Sequence, residues 1–475
     1  MHSKFALLLS TLVFAGCVLP PKESAHYREL TGGALGLSGV AAEPAADGWW
    51  ESFQDPQLDR LIRLGEKDNP SLAEAQARVA HALAQAQVAQ AGLQPSANLD
   101  ASALYQRAPE NYLIPPPLAG HSFWMGQAGA SLSWDLDFWG RQAHAVQRAR
   151  DLTQSARLDV DDARLMIAGA ITQAYIDLYR EYALVDIAER SEAQRQNIVN
   201  ITRRRVAAGL DTQLELREAE GQLPQARVAR TQAQAAADLA AHQLATLIGQ
   251  GANTYASIGR PQFQVDAALP VPAALPINLL ARRPDVLSAR LSVQAADAQR
   301  LAAKAAFYPD VSLRALAGFG AFGINNLVQW SARGYGAGPL ISLPLFDGGR
   351  LRAQYRDSES QLDAAIAAYN GTVLSAVQQA ADQITRLDAL AREQIDQQQT
   401  LEATEAAYKL AEERYTAGLA SYLSVLNAET QVLAARQSMV DIRTSQAAAR
   451  VTLLLSVGGS FDPAASVTLA NAPHF

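Results

Sequence analysis

The chain of 475 residues holds one cysteine, Cys17, which excludes any disulfide within it. After the N-terminus no apolar run reaches the roughly 18 residues that a membrane-crossing helix needs. That absence leaves a membrane β-barrel open, because barrel strands give a much weaker hydropathy signal. Basic residues are not in excess: 40 Lys and Arg stand against 47 Asp and Glu, a formal net charge of -7, so there is no electrostatic footprint for nucleic acid. Charged residues amount to 18%, low for a soluble helical protein. Signatures of chemistry are missing as well. There is no phosphate-binding glycine loop, no nucleophile elbow and no cluster with metal-ligand spacing. His81, His144 and His242 fall on helical stretches without close acidic or cysteine partners. No catalytic residue, metal or cofactor is expected.

What is present is helix vocabulary. Hydrophobic residues make up 49%, much of it Ala, accompanied by Gln, Arg, Leu and Glu. The N-terminus is different. Lys4 precedes an apolar stretch from Phe5 to Ala15, which reads as a secretory signal too short to span as a membrane helix. Phe14-Ala15-Gly16-Cys17 resembles a bacterial lipobox, with Phe14 where Leu is usual. The resemblance implies lipidation of Cys17, and Val18 after it implies sorting to the outer membrane. Residues 1–16 are then the signal peptide and 17–69 a tether and belt segment. Within that segment Trp49 and Trp50 are expected to pack a short helix that Asp55 caps and Pro56 opens.

Periodicity then alternates between two kinds. Asn98 to Tyr105, Ala128 to Phe138, Val311 to Phe319 and Ala337 to Leu345 read as strands. In the second, Ala128, Ala130, Leu132 and Trp134 face one way, and Gly129, Ser131, Ser133 and Asp135 the other. An apolar face backed by a small or polar one is the pattern of a barrel strand with lipid outside and water inside. Between these lie helical stretches of great length. Gly140 and Gly209 are 69 positions apart, as are Gly349 and Gly418, and no strong breaker lies within either interval. At about 1.5 Å per residue each is on the order of 100 Å long, the reach of a coiled-coil rod. After Gly418 a heptad seam is expected through Leu419, Leu423, Leu426, Thr430, Leu433, Gln437, Val440, Thr444, Ala447, Val451 and Leu454. Its polar members would suit packing around a wet tunnel. Pro224 is expected to kink the shorter helix that follows Gly209.

These coincidences are an internal duplication. With a shift of 214, ten of the thirty residues in Pro70–Leu99 are identical to Pro284–Leu313. With a shift of 209, ten of the twenty-three in Arg205–Arg227 match Arg414–Arg436. The repeats are set at 70–249 and 284–457, joined by a linker at 250–283 and followed by a tail at 458–475. Each half reads helix, strand, loop, strand, very long helix, turn, long helix. Four strands cannot close a membrane barrel, since about eight is the smallest, and lipid tolerates no open sheet edge. Several chains must therefore combine.

W-W-x-x-F-x-D-P-x-L from Trp49, L-L-A-R-R-P-D-V from Leu279, F-D-G-G-R from Phe346 and the paired A-G-L turns resemble the bacterial outer-membrane efflux factors, in their TolC/OprM-type, NodT-like lipoprotein branch. The resemblance spans essentially the whole mature chain. It implies a mainly α fold with membrane β: a homotrimer with an α-barrel tunnel and a twelve-stranded β-barrel, four strands per chain. It implies the outer-membrane channel of a tripartite RND-type efflux pump, a passive duct for toxic compounds partnered by a periplasmic adaptor and an inner-membrane transporter. A duct for type I protein secretion is the alternative, and a poreless periplasmic scaffold a third reading. By the same resemblance the adaptor docks on Ala208, Gly209, Leu210 and Thr212 and on Ala417, Gly418, Leu419 and Ser421. Asp211, Arg205, Arg414 and Tyr415 become candidates for closing the periplasmic mouth. Asp211 would supply one negative charge per chain to a ring.

Overall fold

The computed structural model describes residues 26–462 apart from 36, 38–40, 42–44, 112–114, 270, 273 and 277; Cys17 and the end of the tail lie outside the described residues. Seven α-helices of at least 13 residues and four strands carry the architecture among the described residues. They are α1 (Pro56–Asp68), α2 (Pro70–Ala91), β1 (Ser96–Arg107), β2 (Ser122–Asp135), α3 (Arg141–Ala207), α4 (Gln213–Leu247), α5 (Pro284–Ala305), β3 (Asp310–Phe322), β4 (Arg333–Ser342), α6 (Arg350–Thr416) and α7 (Tyr422–Ser456). The duplication is visible in the lengths. α2 and α5 have 22 residues each, α3 and α6 have 67 each, and α4 and α7 have 35 each. No described helix is long and apolar enough to cross a membrane.

The chain divides into two units: the described parts of Met1–Glu29, Arg78–Ala156 and Ala289–Tyr369, and those of Leu30–Ala77, Arg157–Ser288 and Asn370–Phe475. The first holds one antiparallel sheet in the order β1-β2-β3-β4. Its register pairs Ala101 with Ala128, Ala128 with Phe319, and Ala317 with Tyr335, so the alternation read in each strand becomes one continuous apolar face. Many of those side chains are exposed, Leu99 at 80% and Tyr335 at 81%. An apolar face this bare needs lipid to cover it. Pro339 sits within β4, at the edge of the sheet, the place where a missing N–H is tolerated.

β2 ends sooner than its periodicity predicts, because Leu136 and Phe138 lie beyond it. The reason is Asp137, which adopts a left-handed φ of 46° and turns its carboxylate to the start of α3. There it accepts the N–H groups of Gln142 and Ala143 at 2.9 and 2.8 Å. A side chain that satisfies orphan helix donors also stops the strand. Asp347 serves α6 likewise, accepting from Gly349 and Leu351 at 3.0 and 2.9 Å.

In the second unit the W-W-x-x-F-x-D-P segment is core. Trp49 and Phe53 are buried, and Phe53 stacks on Phe263 with ring centroids 4.4 Å apart. Asp55 caps α1 through Gln57 N–H at 2.9 Å. It also accepts from the Tyr175 hydroxyl at 2.6 Å and Gln262 N–H at 2.7 Å. One carboxylate thus ties the belt segment to α3. The R-R-P-D motif acts at the end of α7. Arg282 donates to the Gly459 carbonyl at 3.1 Å, and Arg283 donates to the Ser456 carbonyl at 3.0 Å while gripping Asp285. Two guanidinium groups therefore serve carbonyls at and just beyond a helix C-terminus, the end where cations are favoured.

The seam of α7 differs from the heptads read in the sequence. Toward its N-terminus the buried residues are Tyr422, Val425, Glu429, Val432, Ala435 and Met439. That is one position off the expected set: Leu423 is 60% exposed, and Thr430 and Gln437 are exposed. Toward the C-terminus Thr444, Ala447, Val451 and Leu454 are buried as the pattern predicts. Thr444 is no wet position, being 4% exposed, with its hydroxyl donating to the Val440 carbonyl at 2.8 Å. The offset has a cause that apolar periodicity misses. Glu429 is buried because Arg195 of α3 bonds it at 3.0 Å and Ser191 donates to it at 3.2 Å. Pro224 lies inside α4 without ending it.

Candidate functional site

The two turns that join α3 to α4 and α6 to α7 are built alike. Gly209 and Gly418 take φ of 72° and 77°, a region that costs a side-chain-bearing residue energy but not glycine. At the first, Leu210 N–H donates to the Arg205 carbonyl at 2.9 Å and Gly209 N–H to the Val206 carbonyl at 3.0 Å. At the second, Leu419 N–H donates to Arg414 at 2.8 Å and Gly418 N–H to Tyr415 at 3.0 Å. Both are Schellman stops, which satisfy the last helical carbonyls while reversing the chain. Thr212 then starts α4 with a capping box: its hydroxyl accepts Leu214 N–H at 3.1 Å, and Glu215 accepts Thr212 N–H at 2.9 Å. Ser421 starts α7 without such a bond, its hydroxyl lying 3.2 Å from that of Ser424.

Ala208, Gly209 and Leu210, with Ala417, Gly418 and Leu419, form the outer rims of these turns, and all are exposed. Leu210 is 64% exposed and Leu419 70%, and Leu214 and Leu423 on the first turns of α4 and α7 are also bare. Four exposed leucines at two adjoining turns are an apolar surface that no part of the described chain covers.

Beneath the rim sits a polar cluster. Arg205, near the end of α3, donates through Nε and Nη2 to the two oxygens of Asp211 at 2.8 and 2.9 Å. Its Nη1 donates to the Tyr415 carbonyl at 2.6 Å, and its guanidinium carbon lies 4.6 Å from the centre of the Tyr415 ring. The Tyr415 hydroxyl donates to Asp211 Oδ2 at 2.7 Å and accepts from the Thr202 hydroxyl at 2.8 Å. Tyr415 is fully buried, and the Arg205 and Asp211 side chains are only 9% and 11% exposed. A bidentate, charge-assisted pair of this kind is strong and directional. The Arg205 hydrogen bonds, with that from Tyr415, hold the Asp211 carboxyl below its ordinary value. Burial, with Asp211 beside it, pushes the Tyr415 phenol up to about 12. Below the cluster Ile198, Ile201, Leu223, Tyr408, Tyr422 and Val425 form an apolar core drawn from α3, α4, α6 and α7.

Of the four mouth candidates, the fold brings together Arg205, Asp211 and Tyr415 and leaves Arg414 exposed on α6. Arg414 is the repeat counterpart of Arg205, but the counterpart of Asp211 is Ala420, so the second turn has no carboxylate to hold it. Asp211 is not a bare charge either, because Arg205 neutralises it. Gly418 touches this cluster: a Cβ there would come 3.4 Å from Arg205 Nη1. The buried pair Arg195–Glu429 escaped sequence reading. Both residues sit in helix interiors where a solvated face is the ordinary expectation, and nothing local marks their approach.

A family model described as outer membrane efflux protein matches residues 61–250 and 275–459. The fusaric acid resistance protein FusA of Burkholderia cepacia is 36% identical over 361 residues, 74% of this chain and 68% of that protein. The multidrug resistance outer membrane protein MdtP of Escherichia coli K12 is 30% identical over 470 residues, 96% of each chain. Among solved structures, the outer membrane protein VceC of Vibrio cholerae superposes with a TM-score of 0.83 at 33% identity, covering 88% of this chain and all of that one. The fold thus recurs in a solved structure, and the chain belongs to the outer membrane efflux protein family.

Proposed function

We propose that this protein is the exit duct of a tripartite efflux pump, a homotrimer anchored in the outer membrane through lipid on Cys17. Three copies of the four-stranded sheet supply the twelve strands of a barrel. The long helices supply a tunnel on the periplasmic side. A periplasmic adaptor docks at the turns, and an inner-membrane RND-type transporter supplies the energy, since the chain itself is a conduit. The observation that carries this reading is the apolar rim of the two turns, Leu210 and Leu419 exposed on rigid Schellman stops, in a chain whose relatives are named for resistance and efflux. An adaptor offering apolar pockets would bury those leucines, and helix-turn rims that need no rearrangement bind with little ordering cost. The cluster of Arg205, Asp211 and Tyr415 is read as the latch that holds the mouth narrow, with Arg414 outside it.

The test is a deletion strain complemented by variants. Wild type restores resistance to toxic compounds. Leu210→Asp with Leu419→Asp, or Gly209→Trp, whose Cβ meets no neighbour within 4 Å but whose left-handed φ adds about 1 to 2 kcal/mol of strain, lowers resistance while assembly stays normal. Full resistance from both variants would rule out docking at the turns. Restored export of a protein in place of restored resistance would transfer the duct to type I secretion.

A further inference from the structure

The sheet of the first unit has a second face, opposite the apolar one. Register places Asn98, Asp100 and Ser102 of β1 on it, with Gln127 and Ser131 of β2. Across the strands Asp100 pairs with Gly129, Gly129 with Gly318, and Gly318 with Gly334. One whole row therefore consists of a carboxylate and three glycines. The emptiness at its centre is enforced, because a Cβ on Gly318 would come within 2.5 Å of the Ala128 carbonyl oxygen and Gly129 Cα. The adjoining rows, Ser102–Gln127–Gly320 and Asn98–Ser131–Leu316–Gly336, hold no charge.

Other ionisable groups on this face are distant from Asp100. Arg314 lies four residues along β3 from Gly318, itself two strands from Asp100, a separation of about 17 Å by strand geometry. That exceeds the screening length of about 8 Å at physiological salt. Asp135 and Asp310, at the far ends of β2 and β3, share Arg141 at 2.9 and 3.6 Å. Asp100 is exposed, and no described residue bonds to its side chain. A hollow of about 790 Å³ lies over the strands there, with Asp100, Ser102, Gln127 and Ser131 among its lining; Arg333 also borders it, but register puts Arg333 on the apolar face, where it donates to the Trp330 carbonyl at 2.8 Å and lies 4.7 Å from the centre of the Trp330 ring.

We infer that Asp100 sets the charge selectivity of the duct within the membrane, favouring cationic over anionic solutes. The inference rests on the pore reading above, in which copies of the sheet close with this face inward. Three Asp100 carboxylates then stand in a water-filled lumen at a level kept bare of other side chains. A fixed charge between low-dielectric walls raises the local concentration of the opposite ion. The bare row also lets bulky solutes pass close to the carboxylates.

Planar bilayers holding the full-length protein, with a KCl gradient across them, provide the test. Wild type shows a reversal potential on the potassium side. Asp100→Asn lowers the K⁺ to Cl⁻ permeability ratio by at least about twofold in a channel that still conducts. Gly334→Lys, at a position with nothing within 4 Å of its Cβ, pushes the ratio further toward chloride. Arg314→Gln changes it less than Asp100→Asn does. An unchanged ratio in a conducting Asp100→Asn channel, or a larger change in Arg314→Gln, overturns the assignment. Absence of any conductance from both wild type and Asp211→Ala, in which the latch is broken, overturns the pore reading instead.

Discussion

Asp211 shows how much one residue depends on its surroundings. Its sequence context is a polar turn, where a solvated carboxylate is the ordinary outcome. In the fold it accepts from Arg205 twice and from Tyr415 once. Removing one member of a buried pair costs more than the pair itself contributes, because the survivor stays desolvated. Asp211→Ala leaves Arg205 buried with only the Tyr415 carbonyl, a loss on the order of 3 kcal/mol. Tyr415→Phe removes one donor to Asp211 and the partner of Thr202, about 1 to 2 kcal/mol. If the cluster is the latch, single-channel conductance rises in both variants, more in Asp211→Ala, and equal conductance in all three proteins would reduce it to a structural cap. The pH response has a definite sign. The folded pKa of Asp211 is lowered, so its contribution is complete above the ordinary value of 3.8 and is lost as pH falls through the folded value beneath it. Wild-type conductance therefore holds steady from neutral pH to about 4 and increases only below it, whereas Asp211→Ala shows no such step.

At the scale of elements, α7 carries the lesson. Hydrophobic period places its seam on Leu423, Leu426, Thr430 and Leu433; packing within the chain places it on Tyr422, Val425, Glu429 and Val432. Both rows have the same three-four spacing, and a helix bearing two adjacent stripes has two faces to bury. The chain covers one; on the other, Leu426 and Leu433 are half-buried and Leu423 is left exposed for a further surface. Burial of Glu429 depends on Arg195, which also donates to the Gln222 carbonyl of α4 at 3.0 Å, so three helices meet at one ion pair. Glu429→Leu alone strands a guanidinium that is 16% exposed and lowers the thermal midpoint. Arg195→Met combined with Glu429→Leu recovers most of that loss, because long apolar side chains replace both charges. A double-mutant cycle by calorimetry checks this, and simple additivity of the two single losses would show that the pair does not act as a unit.

At the scale of the molecule the decisive property is incompleteness. β1 and β4 are open edges of a sheet with one apolar face, and such a sheet is stable in lipid only when neighbours complete it. The proposed lipid anchor is a separate matter, resting on the resemblance of Phe14–Cys17 to a lipobox. Wild type incorporates labelled fatty acid, and Cys17→Ala does not; label in the variant would refute lipidation at that residue. The sequence by itself determined the duplication, the alternation of long rods with short strands, the two glycine turns and the need for several copies. These follow from local spacing, from where glycine and proline fall, and from the cost of an unpaired edge in lipid. The tertiary structure alone decided which of two equivalent stripes on α7 lies inward, that Asp211 is neutralised and Arg414 left in water, and that Asp100 stands in a row of glycines. The α7 stripe and the glycine row depend on residues more than twenty-five positions apart in the chain, and the Arg205–Asp211 pair, though only six positions apart, is closed over by Tyr415, 204 positions from Asp211. The sequence records which side chains are available, and only the packed backbone brings them within the few ångströms over which charge and hydrogen bonding act.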